Sequence, residues 1–359
     1  MAKKILIINP FGIGDVLFST PLISAIKKGF PGCNIAYICN IRTKEILETN
    51  PDISEVFVFE RDEYRALWKN SKIDCIKKIC AFWKEIKKRG FDVVIDLSLG
   101  KEFAFLCRLI GIKERRGFDY KSRGRFLTHK IAFDGFNDKP VAEYYLDVVN
   151  EKRQEIRDKS FFNTTLVVTD DDKKYIEDFL KQNGVKKDDF LVGLAPGGGI
   201  SFGKKDQDRR RWPAERFAEL SDRIAKEFNA KIVLIWGPGE EELVGRIASL
   251  MKESSLMASE TTIRQMAALC DRCRVVICSE GGPLHIASSQ AVKIISMFGP
   301  VDEKVYGSYP PSKNKVVITA DIDCRPCYKR FKLPKCDINK CIEDIAVDTV
   351  FNSFLKLKE

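Results

Sequence analysis

Apolar residues fall into two alternating patterns along this chain. Short unbroken runs at Lys4–Asn9 (KILIIN), Asn34–Ile38, Val56–Phe59 and Val93–Leu97 predict strands. Their continuous rather than alternating apolarity predicts burial on both faces, and each is followed by enough chain for a crossover. A helix is predicted from about Val16 to Lys28. The second half repeats the pattern, with strands at Leu191–Ala195, Lys231–Trp236, Val275–Cys278 and Lys293–Phe298. Between them, Phe217, Leu220, Ile224 and Phe228 recur at helical spacing and predict a helix over Ala214–Phe228. Two such α/β stretches in tandem predict two doubly wound domains facing a cleft. Their seam is expected between about Val167 and Asp189, where TDDDKKYIEDFLKQNGVKKDD is highly charged.

Residues 72–90 predict one more helix, with Ile73, Ile76, Cys80, Trp83 and Ile86 near a common face packed on the core. Lys72, Lys77, Lys78, Lys84, Lys87, Lys88 and Arg89 are then left largely to solvent, or to anionic lipid headgroups.

Composition narrows the class. The chain has 359 residues, 44% of them hydrophobic and 10% aromatic, which excludes a disordered protein and suits two ordinary domains. No apolar run approaches the roughly 18–20 residues of a membrane span. Lys3-Lys4 followed by Ile5–Ile8 resembles the start of a signal peptide, but Asn9, Pro10 and Asp15 interrupt it too early. The expectation is a cytoplasmic protein whose 12 cysteines are reduced. A net charge of +10 implies an anionic partner without choosing among nucleotide, nucleic acid and membrane. No recognised nucleic-acid module is present, so nucleic acid is not expected.

Three glycine loops follow predicted strands. Phe11-Gly12-Ile13-Gly14-Asp15 opens a helix, but Leu17 occupies the third glycine position of a dinucleotide turn. Asp15 stands at a helix start, where an ordinary capping role is the alternative to chemistry. Gly198 to Lys204 fits G-x-x-x-x-G-K, but Lys205 replaces the Ser or Thr that would hold magnesium. What remains is a glycine loop followed by Lys204, Lys205, Arg209, Arg210 and Arg211, equipment for gripping phosphate or simply a solvated loop. Ser279-Glu280-Gly281-Gly282-Pro283-Leu284-His285 places glycines and a proline before a helix, an arrangement that suits an anion. Gly237-Pro238-Gly239 is followed by Glu240, Glu241 and Glu242, where a carboxylate would accept from a ribose or stabilise a helix start.

Taken in order, these segments resemble the heptosyltransferases of glycosyltransferase family nine. The stretches that carry the resemblance are GIGDVLFSTPLISAIKKGFPG, APGGG, RRRWPAERFAEL, IWGPGEEE, TTIRQMAALCDRCRVVICSEGGPLHIASS, FGPVD and the late CRPC. They run from Ile5 to about Thr349. The resemblance implies a GT-B fold of two Rossmann-like domains: 1–167 for the acceptor, 168–345 for the nucleotide sugar, and a terminal helix, 346–359, returning to the first. It implies an inverting transferase with no cofactor and no required metal, moving heptose from ADP-heptose to a lipid-linked acidic sugar of the lipopolysaccharide inner core. Such an enzyme is peripheral on the inner membrane.

Position by position, Asp15 matches the family's proposed base, and one base suffices for an inverting displacement. Gly197, Gly198, Arg210, Glu280, Gly281, Gly282 and His285 match donor-side positions near the diphosphate. One of Glu240 and Glu241 matches the ribose carboxylate, and Thr261 lies where adenine packs. Gly14 and Lys101 fall on the acceptor side. Glu280-Gly281-Gly282 stands where the family usually has Asp-Ser-Gly or Asp-Thr-Gly, and Lys139 lies near a missing family histidine. These departures keep a different sugar nucleotide or surface-glycan acceptor open, as well as a non-catalytic nucleotide-binding relative. Cys324-x2-Cys327, Cys336 and Cys341 have spacings open to a four-thiolate structural metal, whereas Cys270 and Cys273 read as packing.

Overall fold

A computed structural model describes residues 2–150, 162–199, 208–258, 260–336 and 338–358. The chain divides into two compact units, Met1–Phe136 with Val141–Asn163, and Asn137–Pro140 with Thr164–Glu359. Each is built on a six-stranded, all-parallel sheet.

In the first unit the strands are β1 (Lys4–Ile8), β2 (Asn34–Cys39), β3 (Glu55–Val58), β4 (Val93–Asp96), β5 (Glu114–Tyr120) and β6 (His129–Phe133). Their spatial order is β3-β2-β1-β4-β5-β6. Ile5 to Ile8 are all buried, as continuous apolarity required, and Ile8 pairs in register with Ile38 on one side and Asp96 on the other. The helix expected over 16–28 is two helices, Ile13–Phe18 and Thr20–Gly29. They part at Ser19, whose hydroxyl donates to Val16 O (2.7 Å) and meets the Tyr37 hydroxyl (2.6 Å), while Pro21 opens the second helix.

The helix Lys72–Arg89 forms, but its packed stripe is not the expected one. Cys75, Trp83 and Ile86 are buried and Ile79 and Phe82 half-buried, whereas Ile73, Ile76 and Cys80 are exposed. Both sets fall at helical spacing, 75, 79, 82, 83 and 86 on one face and 73, 76 and 80 on another, so the period alone does not say which is buried.

The second unit repeats the topology with β7 (Leu191–Ala195), β8 (Lys231–Leu234), β9 (Ser255–Met257), β10 (Val275–Ser279), β11 (Lys293–Phe298) and β12 (Lys315–Thr319). The order is β12-β11-β10-β7-β8-β9. The charged stretch expected to be a seam is instead the helix Asp170–Gln182, inside the second unit. Thr169 and Asp172 form a reciprocal capping box, and Ile176 and Leu180 bury its inner face.

The last helix, Val347–Leu357, belongs to the second unit. Val350, Phe351 and Phe354 are buried in the second unit's own core with Trp212, Phe217 and Ile224. Each such burial contributes roughly 1.5–3 kcal/mol. The approach is pinned by Ile345 O, which accepts from Trp212 Nε1 (2.9 Å) and Arg216 Nη1 (2.6 Å). No described helix is long and apolar enough to cross a membrane.

Candidate active site

In each sheet the strand order reverses once, between β1 and β4 and between β7 and β10. Ligands of open α/β sheets bind at the carboxyl ends of the strands flanking that reversal. The glycine loops found in the sequence follow β1, β7 and β10.

At the first switch point, Asn9 holds the loop after β1. Its Nδ2 donates to Asp15 O (3.1 Å), and its Oδ1 accepts from Phe11 N (3.3 Å). Asn40, one residue past β2, donates to Pro10 O (3.3 Å) and to Phe11 O. Asp15 lies half-buried in the first turn of the helix Ile13–Phe18. Burial of its carboxyl raises the pKa to about 6, against the opposing pull of the Gly12 and Asp15 backbone amides.

Asp96 ends β4 and was not singled out from the sequence. It is buried; Oδ1 accepts from Ser98 N (3.0 Å), while Oδ2 has no partner among the described residues. Burial raises this carboxyl to about 6 as well. Gly14 lies within the Asp15 helix. Lys101 is exposed at the cap of the helix Glu102–Leu109, with its backbone N–H donating to Glu102 Oε2 (3.0 Å).

The second switch point is knitted from three loops. After β7 come Gly197, Gly198 and Gly199, the last two with φ of +76° and +81°. Glu240, after β8, is buried and accepts from Gly199 N through Oε1 (2.7 Å) and Gly237 N through Oε2 (3.0 Å). A Cβ on Gly197 would sit 1.9 Å from the Glu240 carboxyl carbon, so only glycine admits this approach. Glu241 instead opens the next helix and is exposed, so Glu240 is the carboxylate that touches the loop. After β10, Gly281 has φ +146°, and a Cβ there would lie 1.9 Å from Gly198 O.

Cations back these loops. Arg210 and Glu280 are both buried, and Arg210 Nη1 reaches both carboxylate oxygens at 3.1 Å, with Nη2 donating to Gly198 O (3.4 Å). Arg211 Nε donates to Gly197 O (2.9 Å), and its Nη2 stands 3.8 Å from Glu240. His285, on the helix Gly282–Ser288, is buried; burial and then the Arg210 charge lower its pKa to about 4. It is therefore a neutral imidazole at physiological pH. Ser279 ends β10 with a fully buried hydroxyl that has no partner among the described residues.

The structure thus brings Gly197, Gly198, Arg210, Glu240, Glu280, Gly281, Gly282 and His285 together at one switch point. Thr261 is half-buried beyond β9, one residue before Thr262, which caps the helix Ile263–Arg272. Lys204 and Lys205 lie outside the described residues. Arg211's grip on Gly197 could have been inferred only as one of three adjacent arginines; Asp96 and Ser279 gave no signal beyond ending an apolar strand.

The late cysteines sit against the loop after β11. Cys327 N–H donates to Pro300 O (3.0 Å), and a Cβ on Gly299 would meet Cys341 Sγ at 3.4 Å. Burial, then the neighbouring thiols of Cys327, Cys324 and Cys336, raise Cys341 to about 11. All twelve cysteines are free thiols. Among the described residues no group of three or more His, Cys, Asp or Glu side chains is placed to hold a metal ion.

Two Rossmann-like units with glycine loops at both switch points are the architecture of the GT-B fold. The sequence profile of glycosyltransferase family 9 (heptosyltransferase) matches residues 79–336. The chain belongs to this family and is a glycosyltransferase. It is 24% identical to lipooligosaccharide heptosyltransferase 2 of Campylobacter jejuni, over 99% of both chains. Among solved structures, it is similar to a family 9 glycosyl transferase of Veillonella parvula, with TM-score 0.83 and 24% identity over 99% of this chain and 97% of that one. It is also similar to E. coli ADP-heptose lps heptosyltransferase II, with TM-score 0.75 and 19% identity over 99% and 98%.

Proposed function

We propose that the chain transfers heptose from ADP-heptose to an acidic inner-core sugar of lipopolysaccharide, with inversion and with Asp15 as general base. Asp15 takes the proton of the acceptor hydroxyl, whose oxygen forms the new bond to the anomeric carbon. The bond from that carbon to the diphosphate breaks, and ADP leaves with the electron pair. The names of the relatives support the donor and acceptor class. The observation that carries the role of Asp15 is its place at the first switch point with a carboxyl raised to about 6. Such a group is mostly ionised at pH 7 yet basic enough to share a proton in the transition state.

On the donor side, the Gly198 and Gly281 loops bring backbone close to the ligand, and Arg210 donates to Gly198 O beside them. Its pairing with Glu280 supports a second reading, another nucleotide sugar, because the carboxylate already balances that charge. Lys101 on the acceptor side would hold the acidic sugar, and Thr261 the base. The acceptor's lipid places the enzyme on the cytoplasmic face of an anionic membrane.

Asp15→Asn tests the base. Turnover should fall by roughly 10²–10⁴-fold while ADP binding is retained. Unchanged turnover removes Asp15 from the chemistry. Calorimetric titration with ADP, UDP, GDP and CDP decides the donor: ADP preference supports ADP-heptose, and any other preference moves the assignment.

A further inference from the structure

The helices Arg61–Asn70 and Lys72–Arg89 form a corner of the first unit joined by Ser71. Its inner side is firmly packed. Tyr64 stacks on Phe59 with ring centroids 4.4 Å apart, Cys75 Sγ donates to Tyr64 O (3.5 Å), and Lys78 pairs with Glu63. Its outer side is unlike the rest of the surface. Trp68 is 47% exposed, Ile73 67% and Ile76 50%. Single exposed apolar residues need no explanation, but three on one corner do.

They belong to a continuous stripe. Ile73, Ile76, Cys80, Lys84 and Lys87 are spaced by three, four, four and three residues, and all are exposed. Such spacing keeps them on one face. Trp68 joins its amino-terminal end, where the Lys72 ammonium lies 5.9 Å from the indole ring. The stripe holds no carboxylate. The helix's acidic residues, Asp74 and Glu85, turn elsewhere, and Glu85 is engaged with Lys88 and Arg89. Among the described residues Lys72, Lys84 and Lys87 form no ion pair. Apolar side chains grade into unpaired lysines along a rigid helix, with a tryptophan at the apolar end.

We infer that this corner is the enzyme's contact with an anionic bilayer surface, resting on the proposed reading that its acceptor is lipid-linked. Trp68, Ile73 and Ile76 enter the headgroup–acyl boundary, while Lys72, Lys84 and Lys87 meet lipid phosphates. Charge complementarity selects the bilayer over a second copy of the chain. Two copies would bring these lysines together with no acid between them.

The test sediments the full chain with phosphatidylglycerol-containing vesicles and with purely phosphatidylcholine vesicles. Binding should favour the anionic vesicles, weaken with salt, and shift the tryptophan emission to the blue; Trp68→Phe should abolish the shift. The double variant Ile73→Ser/Ile76→Ser should partition at least tenfold more weakly, and Lys84→Gln and Lys87→Gln roughly fivefold each. Lys187→Gln, in the second unit, should change nothing. Retained ADP binding verifies that the variants fold. Transfer to a lipid-free acceptor should be unaffected by the Ile73→Ser/Ile76→Ser variant and transfer to a vesicle-embedded acceptor reduced. Loss of transfer on both, in the wild type, would instead sink the functional reading while leaving the vesicle result intact. No anionic preference, wild-type partitioning by the isoleucine variant, or a vesicle-free dimer that this variant dissolves would overturn the inference.

Discussion

At the reversal between β1 and β4 the first unit places Asp15 and Asp96, two carboxyls raised to about 6 by burial. At the reversal between β7 and β10 the second unit places Arg210, Arg211 and a neutral His285 around three glycines. The sheets share one strand order and differ in what stands at the crossing. Identical topology therefore supplies only the location. In the proposed reaction one end takes up a proton, and the other sits close to an anion. Their glycines differ too. In the first unit, Asn9 and Asn40 shape the loop through side-chain bonds to its carbonyls. In the second, backbone lies directly on backbone at Gly198 and Gly281, and no side chain fits between.

That contrast breaks first at Gly281. Gly281→Ala places a Cβ 1.9 Å from Gly198 O at a backbone angle suited to glycine, so the loops must separate. Donor affinity should fall at least 100-fold and stability by several kcal/mol, roughly the strain of one such residue plus the displaced loop. Calorimetry with ADP and thermal unfolding check both. Near-normal ADP affinity would mean that the Gly198–Gly281 contact does not build the donor site.

The next effect concerns the buried pair. Glu280→Gln leaves Arg210 without its balancing charge and should cost the ligand-free protein about 3 kcal/mol. A bound diphosphate would supply that charge, so ADP should raise the melting temperature more in the variant than in the wild type. An equal ADP effect on both would show that Arg210 serves the loops and not the ligand.

The carboxyl side sharpens the comparison through pH. With its pKa near 6, Asp15 must be ionised to act as base, so kcat/KM should rise about tenfold per unit below pH 6 and level off above it. His285, neutral down to about pH 4, should add no second step in that range. A break at pH 4 instead would place the working base in a more exposed carboxylate.

Much of this was legible before the structure. Buried parallel strands announce themselves by unbroken apolar runs, and glycines mark the strand ends where backbone must turn. The family resemblance then selected Asp15, Arg210 and the Glu280 loop. Less visible were β5, β6, β9 and β12; HKIAF of β6 carries only three apolar residues at a sheet edge. ERRGFDY is mostly polar and sits off the sheet's centre, SLM is short, and KVVIT lies at a sheet edge. For the terminal helix, amphipathicity says that a face is buried, not against what. Its partner was fixed by Trp212 and Arg216 meeting at Ile345 O, a contact over a hundred residues long-range. The 72–89 helix was misread because two isoleucines on its outer face carried the same apolar signal as its core.

The smallest expected effect separates burial from chemistry at the first switch point. Asp96 has a folded pKa near 6 against an ordinary 3.8, so folding disfavours its charged form. Below pH 3.8 the group is protonated in both states and this penalty is absent. It grows between 3.8 and 6 and is complete above 6, because there the unfolded chain gains nothing further by losing the proton. Asp96→Asn keeps an oxygen for Ser98 N and removes the charge. The variant should therefore gain stability relative to wild type as pH rises from 4 to 7, by roughly 1–3 kcal/mol. Denaturant unfolding at the two pH values measures it. A difference that does not change with pH would mean that Asp96 is ionised without cost, and that the partnerless Oδ2 is satisfied by solvent. The same series on Asp15→Asn should show a matching gain coupled to lost turnover. That pairing would mark Asp15 as a carboxylate held for function at the expense of stability, and Asp96 as one whose burial serves the loop.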